Sequence, residues 1–184
     1  MSLTTPTLIW LFPLAFMLHD FEELILSEPW LRKNAADIKL MIQNRAPAFL
    51  ASQISGVLDK SATQFAFPIC LIFSLVFLSS FLAAEYGRYG FFLLASGLFF
   101  LHGFAHIAQA IALRRYIPAV ITSALIAIPY GLVLYRRLLA EGIVDLPRLL
   151  IYFLVAALLG VPFILVMHKL GEYLYKKTVS LLIG

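Results

Sequence analysis

The sequence predicts an all-α integral membrane protein, a bundle of about five transmembrane helices with one short interfacial helix. Two features of the composition carry this prediction. Hydrophobic residues make up 62% of the 184-residue chain and charged residues only 13%, and the mean hydropathy is +0.93. These values lie far outside the range of soluble globular domains.

Apolar runs long enough to cross a bilayer give the third observation. A hydrocarbon layer of roughly 30 Å needs about 20 helical residues. We predict spans at residues 3–26, 62–84, 89–113, 117–135 and 148–170. The first run has no basic start and no small-residue cleavage site after it, so we expect a retained helix and not a signal peptide. No repeat or linker divides the chain, which predicts one transmembrane domain, residues 1–184.

A polar region separates the first two spans. Its middle has an apolar and a basic face at helical spacing, and Pro47 interrupts the pattern. The two faces consist of Ile38, Met41 and Ile42, and of Lys39 and Arg45. We therefore predict a short helix on the membrane surface in this first loop, with Trp30 as an interface anchor.

The basic residues predict the orientation. Ten of the 14 Lys and Arg residues fall in the first loop, the third loop and the C-terminal tail. The positive-inside rule then places the N-terminus outside and the C-terminus in the cytoplasm, in the cell (inner) membrane. Because these residues flank apolar runs and form no basic stripe, we expect membrane lipid as partner and no nucleic acid. The single Cys70 excludes a disulfide framework and a thiolate metal site.

The stretch MLHDFEELI places four polar side chains at the cytoplasmic end of the first span. His19, Glu22 and Glu23 stand at i, i+3 and i+4, which puts them on one helix face. Asp20 projects about 100° away from His19 and need not join them.

Two further spans end in the same membrane face with spaced polar residues. The third carries His102, His106 and Gln109 at i, i+4 and i+7, and the fifth ends with His168 and Glu172, four apart. Ionisable residues in spans are expensive and are typical of functional sites. Three such groups at similar depth therefore predict one shared site.

Imidazoles at i, i+4 with carboxylates from another helix are the ligands of zinc and di-iron sites in helical bundles. We expect a divalent metal, Zn or Fe, held by His19, Glu22, Glu23, His102 and His106. Glu22 or Glu23 would also act as catalytic general base. A second set of residues would contact and orient these ligands without binding the metal: Gln109, Thr122, His168 and Glu172.

Plainer interpretations stand beside the metal site. In one of them, the polar residues of the first span (His19, Glu22 and Glu23) simply end a helix among lipid head groups, and so do His168 and Glu172. His102 and His106 would pack against neighbouring helices, bonded to backbone or to Thr122 and Ser123.

The residues HDFEE and the later stretch HIAQAIALRRYIPAVITSALIAIPY resemble the HXXEE family of small bacterial and archaeal membrane proteins. In the later stretch the resemblance rests on His106, Arg115, Tyr116, Pro118, Thr122 and Pro129. It implies an enzymatic character without an established reaction, with His19, Glu22, Glu23 and His106 as site residues. An Asn often precedes the later His in that family, whereas this chain has His102 at the corresponding place.

The leading interpretation is a membrane-embedded, metal-dependent hydrolase that acts on a lipid or another apolar small molecule. A metal-free variant is similar to intramembrane glutamate proteases of the CAAX-processing type, but Ser27 stands where these have an Arg. The order H-D-F-E-E also differs from both zincin patterns. Two other classes remain open, a proton- or ion-coupled transporter or binding protein and a small interaction subunit without activity.

Overall fold

The computed structural model describes residues 3–45 and 61–182, and all the long elements in these ranges are helices. We number them α1 (Thr5–Arg45), α2 (Ala62–Tyr86), α3 (Tyr89–Leu113), α4 (Val120–Ala140) and α5 (Leu146–Leu182). A π-helical segment, Ser123–Ala127, lies within α4. The described part of the chain contains no strand, so the predicted all-α class is confirmed.

Four of the five helices are long and apolar enough to cross a membrane, namely α2, α3, α4 and α5. A multi-pass membrane protein is therefore the indicated class. The number of membrane-spanning helices was predicted as five, but only four of the described helices qualify by length and composition, because α1 is not apolar enough. Its polar residues between His19 and Glu23 lower the hydropathy of the stretch that we predicted as the first span.

The predicted separation between a first span ending at residue 26 and a surface helix is wrong. α1 continues without a break through Pro29 to Arg45. Side-chain contacts stabilise the continuation: Glu28 pairs with Arg32, and Leu31 packs against Phe65 of α2. The predicted break at Pro47 lies outside the described residues.

The limits of α2 and α3 agree well with the predicted ones, and capping residues explain both ends of α2. Ser61 and Gln64 form a capping box at the start of α2, which satisfies amide groups that a helix start leaves free. Gly87 ends α2 with φ +64°, a conformation that suits glycine. α5, in contrast, runs 12 residues beyond its predicted end, to Leu182.

The core of the bundle is built around the first half of α1. Leu8, Ile9 and Phe12 are almost completely buried. The Phe12 ring lies 5.6 Å from the rings of Phe92 and Phe99, both on α3. This half of α1 is therefore an interior helix of the bundle.

The first half of α1 runs antiparallel to α4 along nearly the whole of α4. At one end Thr5 donates a hydrogen bond to Glu141, the residue that directly follows α4. At the other end Glu22 accepts hydrogen bonds from Thr122, near the start of α4. The His/Glu motif thus lies at the end of the bundle where α3 ends and α4 begins.

Candidate metal centre and the adjoining cavity

Four side chains from α1 and α3 converge at this end of the bundle. His19, Glu23, His102 and His106 each offer one ligand atom, and these atoms all lie within 4.8 Å of one another. We call these four residues the His/Glu cluster. Three imidazoles and one carboxylate are a donor set that suits Zn²⁺ and other divalent transition metals, so the cluster could hold a metal ion.

The helix spacing explains why the four residues meet. His19 and Glu23 are four residues apart on α1, and His102 and His106 are four apart on α3, which places each pair on one face. Gly103 lets α3 approach α4, because a Cβ there would lie only 3.3 Å from Cβ of Ala127. The absence of a side chain at Gly103 therefore allows close packing of the two helices beside the α3 histidines.

His19 is completely buried, and its ring is held by Thr122. The Thr122 Oγ1 atom lies 3.2 Å from Nδ1 of His19 and donates its hydrogen to Oε2 of Glu22 at 2.6 Å. Because a hydroxyl has only one hydrogen, Nδ1 of His19 is the donor to Thr122. Nε2 therefore keeps its lone pair, and this buried atom has no hydrogen-bond partner among the described residues.

His102 and His106 contact each other through their Nε2 atoms, 2.8 Å apart. Both Nε2 atoms lie near Oε2 of Glu23, at 4.0 Å from His102 and 3.9 Å from His106. Donors of a tetrahedral zinc site are about 3.4 Å apart, given Zn–N distances of about 2.0–2.1 Å. The 2.8 Å separation in the cluster is shorter than that value and the 3.9 and 4.0 Å separations are longer, so the side chains would have to adjust to hold a tetrahedral ion.

Glu22 has different partners from Glu23, although both were predicted as ligands. Its carboxylate accepts hydrogen bonds from the backbone amides of Ile121 and Thr122, at 3.3 and 2.7 Å. The Tyr116 hydroxyl donates a further bond at 2.7 Å. Ala119 precedes α4 without a side-chain cap, so Glu22 supplies the acceptor that a capping residue would otherwise give.

Tyr116 contributes to the resemblance to the HXXEE family, but it was not predicted as a site residue. Desolvation raises the pKa of the Tyr116 phenol, and its hydrogen bond to Glu22 raises that pKa further. The phenol is thus protonated at neutral pH and remains a donor. No spacing rule could predict this contact, because it depends on the loop between α3 and α4.

The remaining predicted residues are spread over different places. Thr122 is the link between His19 and Glu22 described above. Gln109 is exposed, and Glu172 pairs with Lys176 at 2.8 Å. His168 packs its ring edge-on against Phe65, with centroids 5.7 Å apart. Neither Gln109 nor Glu172 belongs to the four-residue cluster.

A cavity of about 430 Å³ adjoins the His/Glu cluster between α1, α2, α3 and α5. Its wall is mostly Phe, Leu, Ile, Val and Pro, and its polar side chains are Asp20, Glu23, His102 and His168. Glu23 and His102 thus belong to both the cluster and the cavity wall. Sequence reasoning set Asp20 aside, whereas the structure places it in this wall.

Comparison with known proteins gives one match. The profile of a family described as a protein of unknown function with an HXXEE motif matches residues 10–134, which include α1 from Trp10 onward, α2, α3 and most of α4. This confirms the predicted resemblance. No curated protein and no solved structure matches the chain significantly.

Proposed function

Because the chain belongs to the HXXEE family, whose function is unknown, we propose a function from the site itself: a membrane-embedded, metal-dependent hydrolase for a lipid or another apolar substrate. The observation that carries the proposal is the His/Glu cluster, in which four ligand atoms from two helices lie within 4.8 Å of one another. The cavity beside it supports an apolar substrate.

In this proposal His19, His102 and His106 hold the metal, Zn or Fe. Catalytic zinc sites commonly use three protein ligands and leave one position open. The unpaired Nε2 of His19 and the paired Nε2 atoms of the α3 histidines supply three such ligands. A bound divalent metal would contribute Lewis acidity at the end of the cavity.

Glu23 is the proposed general base. Its carboxylate lies about 4 Å from two of the histidines and also lines the cavity. From there it would take a proton from the attacking water while the water oxygen bonds to the scissile carbonyl carbon, and it would give that proton to the leaving oxygen as the bond between this carbon and the leaving oxygen breaks. Glu22 would act only through Thr122, which orients His19.

The position of the polar side chains favours an enzyme over a transporter. A transport path needs polar groups along the whole membrane thickness. In the cavity, the polar side chains of α1, α3 and α5 all lie at one end, and the rest of the described wall is apolar. This arrangement fits a site reached from one side.

Metal analysis of the purified protein in mild detergent tests the proposal. We expect near-stoichiometric Zn or Fe in the wild type and its loss in His106→Ala. His168→Ala is the matched control, since His168 lines the cavity but lies outside the cluster, and it should keep the metal. Glu23→Gln should lose ester hydrolysis in a screen of lipid esters.

Three outcomes distinguish a metal-dependent hydrolase from the alternatives. Metal lost in His106→Ala but kept in His168→Ala would support the centre. A wild type that binds no metal after reconstitution would refute the metal-dependent mechanism. Hydrolysis by that metal-free protein, abolished in Glu23→Gln, would instead favour a hydrolase that uses glutamate alone.

A further inference from the structure

The cavity beside the His/Glu cluster has the shape and chemistry of a binding site for one class of molecule. We propose that it binds an uncharged single-chain lipid, with a hydroxyl- or amide-bearing head group at Asp20 and Glu23. The hydrocarbon chain would lie between α2, α3 and α5. This inference rests on the proposed function, because it names the substrate class of the same site.

The extent of the cavity fits one chain. Its wall includes α3 from Phe91 to His102 and α5 from Ala156 to His168, a length of about 16–18 Å at 1.5 Å per residue. The volume of about 430 Å³ lies in the lower half of the range of small-molecule sites. An elongated cavity of this volume suits a single hydrocarbon chain better than a lipid with two.

Asp20 supplies the observation that points to a polar head group. The residue is only 7% exposed, it lines the cavity, and its Oδ2 has no hydrogen-bond partner among the described residues. A buried carboxyl oxygen without a partner is costly. A hydroxyl or amide hydrogen of the ligand would provide the missing donor.

The charges of the wall select against anionic lipids. Asp20 and Glu23 both contribute carboxyl groups at the polar end, and no Lys or Arg is among the described wall residues. The charges of these two acids would balance those of a divalent metal in the cluster, so a phosphate or carboxylate head group would find no further cation in the described wall. An uncharged head with donors therefore fits this end of the cavity.

The outer wall offers a route of entry. Leu159 and Val166 of α5 line the cavity and are also 50% and 56% exposed. Since both residues belong to the cavity wall and to the outer surface of the bundle, the cavity lies directly behind that surface. A lipid could enter sideways from the bilayer there, without passing through water.

Photo-crosslinking tests the inference. The probe is a monoacylglycerol with a diazirine near the end of its chain, added to the protein in phosphatidylcholine nanodiscs, with labelled residues mapped by mass spectrometry. We expect labelling at the far end of the cavity, around Phe91 and Leu94. Unlabelled monooleoylglycerol should compete, whereas oleate, which has the same chain and an anionic head, should not.

Matched variants locate the ligand. Leu75→Trp places a large ring in the cavity wall and should abolish labelling. Leu78→Trp, on the same helix but 44% exposed and outside the wall, should leave it unchanged. Asp20→Leu removes the head-group acceptor and should weaken competition by monooleoylglycerol about tenfold, as expected for the loss of one hydrogen bond.

Labelling that Leu75→Trp leaves intact, or equal competition by oleate, would overturn the inference. Metal analysis of the same samples separates it from the proposed function. A stoichiometric metal in protein that takes no label refutes the lipid site alone. Labelled protein without metal, in contrast, supports the lipid site and refutes the metal-dependent hydrolase.

Discussion

Glu22 and Glu23 are neighbours in the chain with different tasks in the structure. Glu22 accepts hydrogen bonds from the amides at the start of α4 and from the Tyr116 hydroxyl, so it stabilises the junction between α1 and α4. Glu23 faces His102 and His106 at about 4 Å. Substitution of the two residues should therefore separate stability from hydrolysis.

We expect Glu22→Ala to lower the stability by about 0.5–2 kcal/mol, the usual cost of losing a helix-capping acceptor. Thermal unfolding in detergent measures this loss. Glu23→Ala is the control: it should keep the wild-type Tm and metal content and lose hydrolysis. A Glu22→Ala protein as stable as the wild type would show that the capping bonds contribute nothing.

Thr122 gives a second prediction at the level of single side chains. Its hydroxyl fixes the His19 tautomer, because it donates to Glu22 and accepts from Nδ1 of His19. Loss of such an orienting group typically weakens metal binding about 10–100-fold. Thr122→Val should show this loss in competition with a chelating dye, and Thr122→Ser should not. Equal affinities in the two variants would exclude an orienting role.

The sequence could predict the meeting of these side chains but not their individual partners. The i, i+4 spacing of His19 with Glu23, and of His102 with His106, follows from helix geometry alone. The capping role of Glu22 depends on the turn at Ala119, which has φ +67°. No periodic pattern encodes a left-handed alanine, so that contact required the structure.

The contact between α2 and α5 depends on one glycine. A Cβ at Gly171 would lie 2.5 Å from Cδ and 2.7 Å from the backbone N of Pro68. Backbone atoms cannot move aside without shifting the helix. We therefore expect Gly171→Ala to destabilise the bundle by about 1–3 kcal/mol, as for overpacked cores.

Gly160→Ala is the control for this prediction, on the same helix. A Cβ at Gly160 would lie 3.0 Å from Cδ1 of Leu98, the end of a flexible side chain that can rotate away. Thermal unfolding should show a clearly larger loss for Gly171→Ala. Equal losses would mean that α5 can shift away from Pro68 at little cost.

The sequence predicts the lengths of the first and last helices, α1 and α5, least well. The hydropathy pattern predicts that α1 ends where apolar residues give way to charged ones, but a helix need not end where a membrane does. Trp30 Nε1 donates to the Tyr116 carbonyl at 2.7 Å, and Arg115 donates to Asn34 at 2.8 Å. These contacts with the α3–α4 loop lie far apart in sequence, so hydropathy could not predict them.

At the scale of the whole molecule, the number of membrane crossings depends on α1. Its contacts run from Thr5 beside Glu141 to Glu22 beside Thr122. The 17 residue steps from Thr5 to Glu22 cover about 26 Å at 1.5 Å per residue, close to the thickness of a hydrocarbon layer. If α4 crosses the membrane, α1 therefore crosses with it, despite its polar residues.

Five crossings would place the two ends of the chain on opposite sides of the membrane, and the positive-inside rule predicts that the N-terminus is outside. Single cysteines at Thr4 and Ser180, both exposed positions, test this in a Cys70→Ser background. A membrane-impermeant maleimide should label Thr4→Cys in intact cells and Ser180→Cys only after lysis. Equal labelling of both in intact cells would mean four crossings and would remove α1 from the membrane. Since His19 and Glu23 lie on α1, the cluster would then adjoin water and not the hydrocarbon layer, and an apolar substrate would lose its direct route from the bilayer.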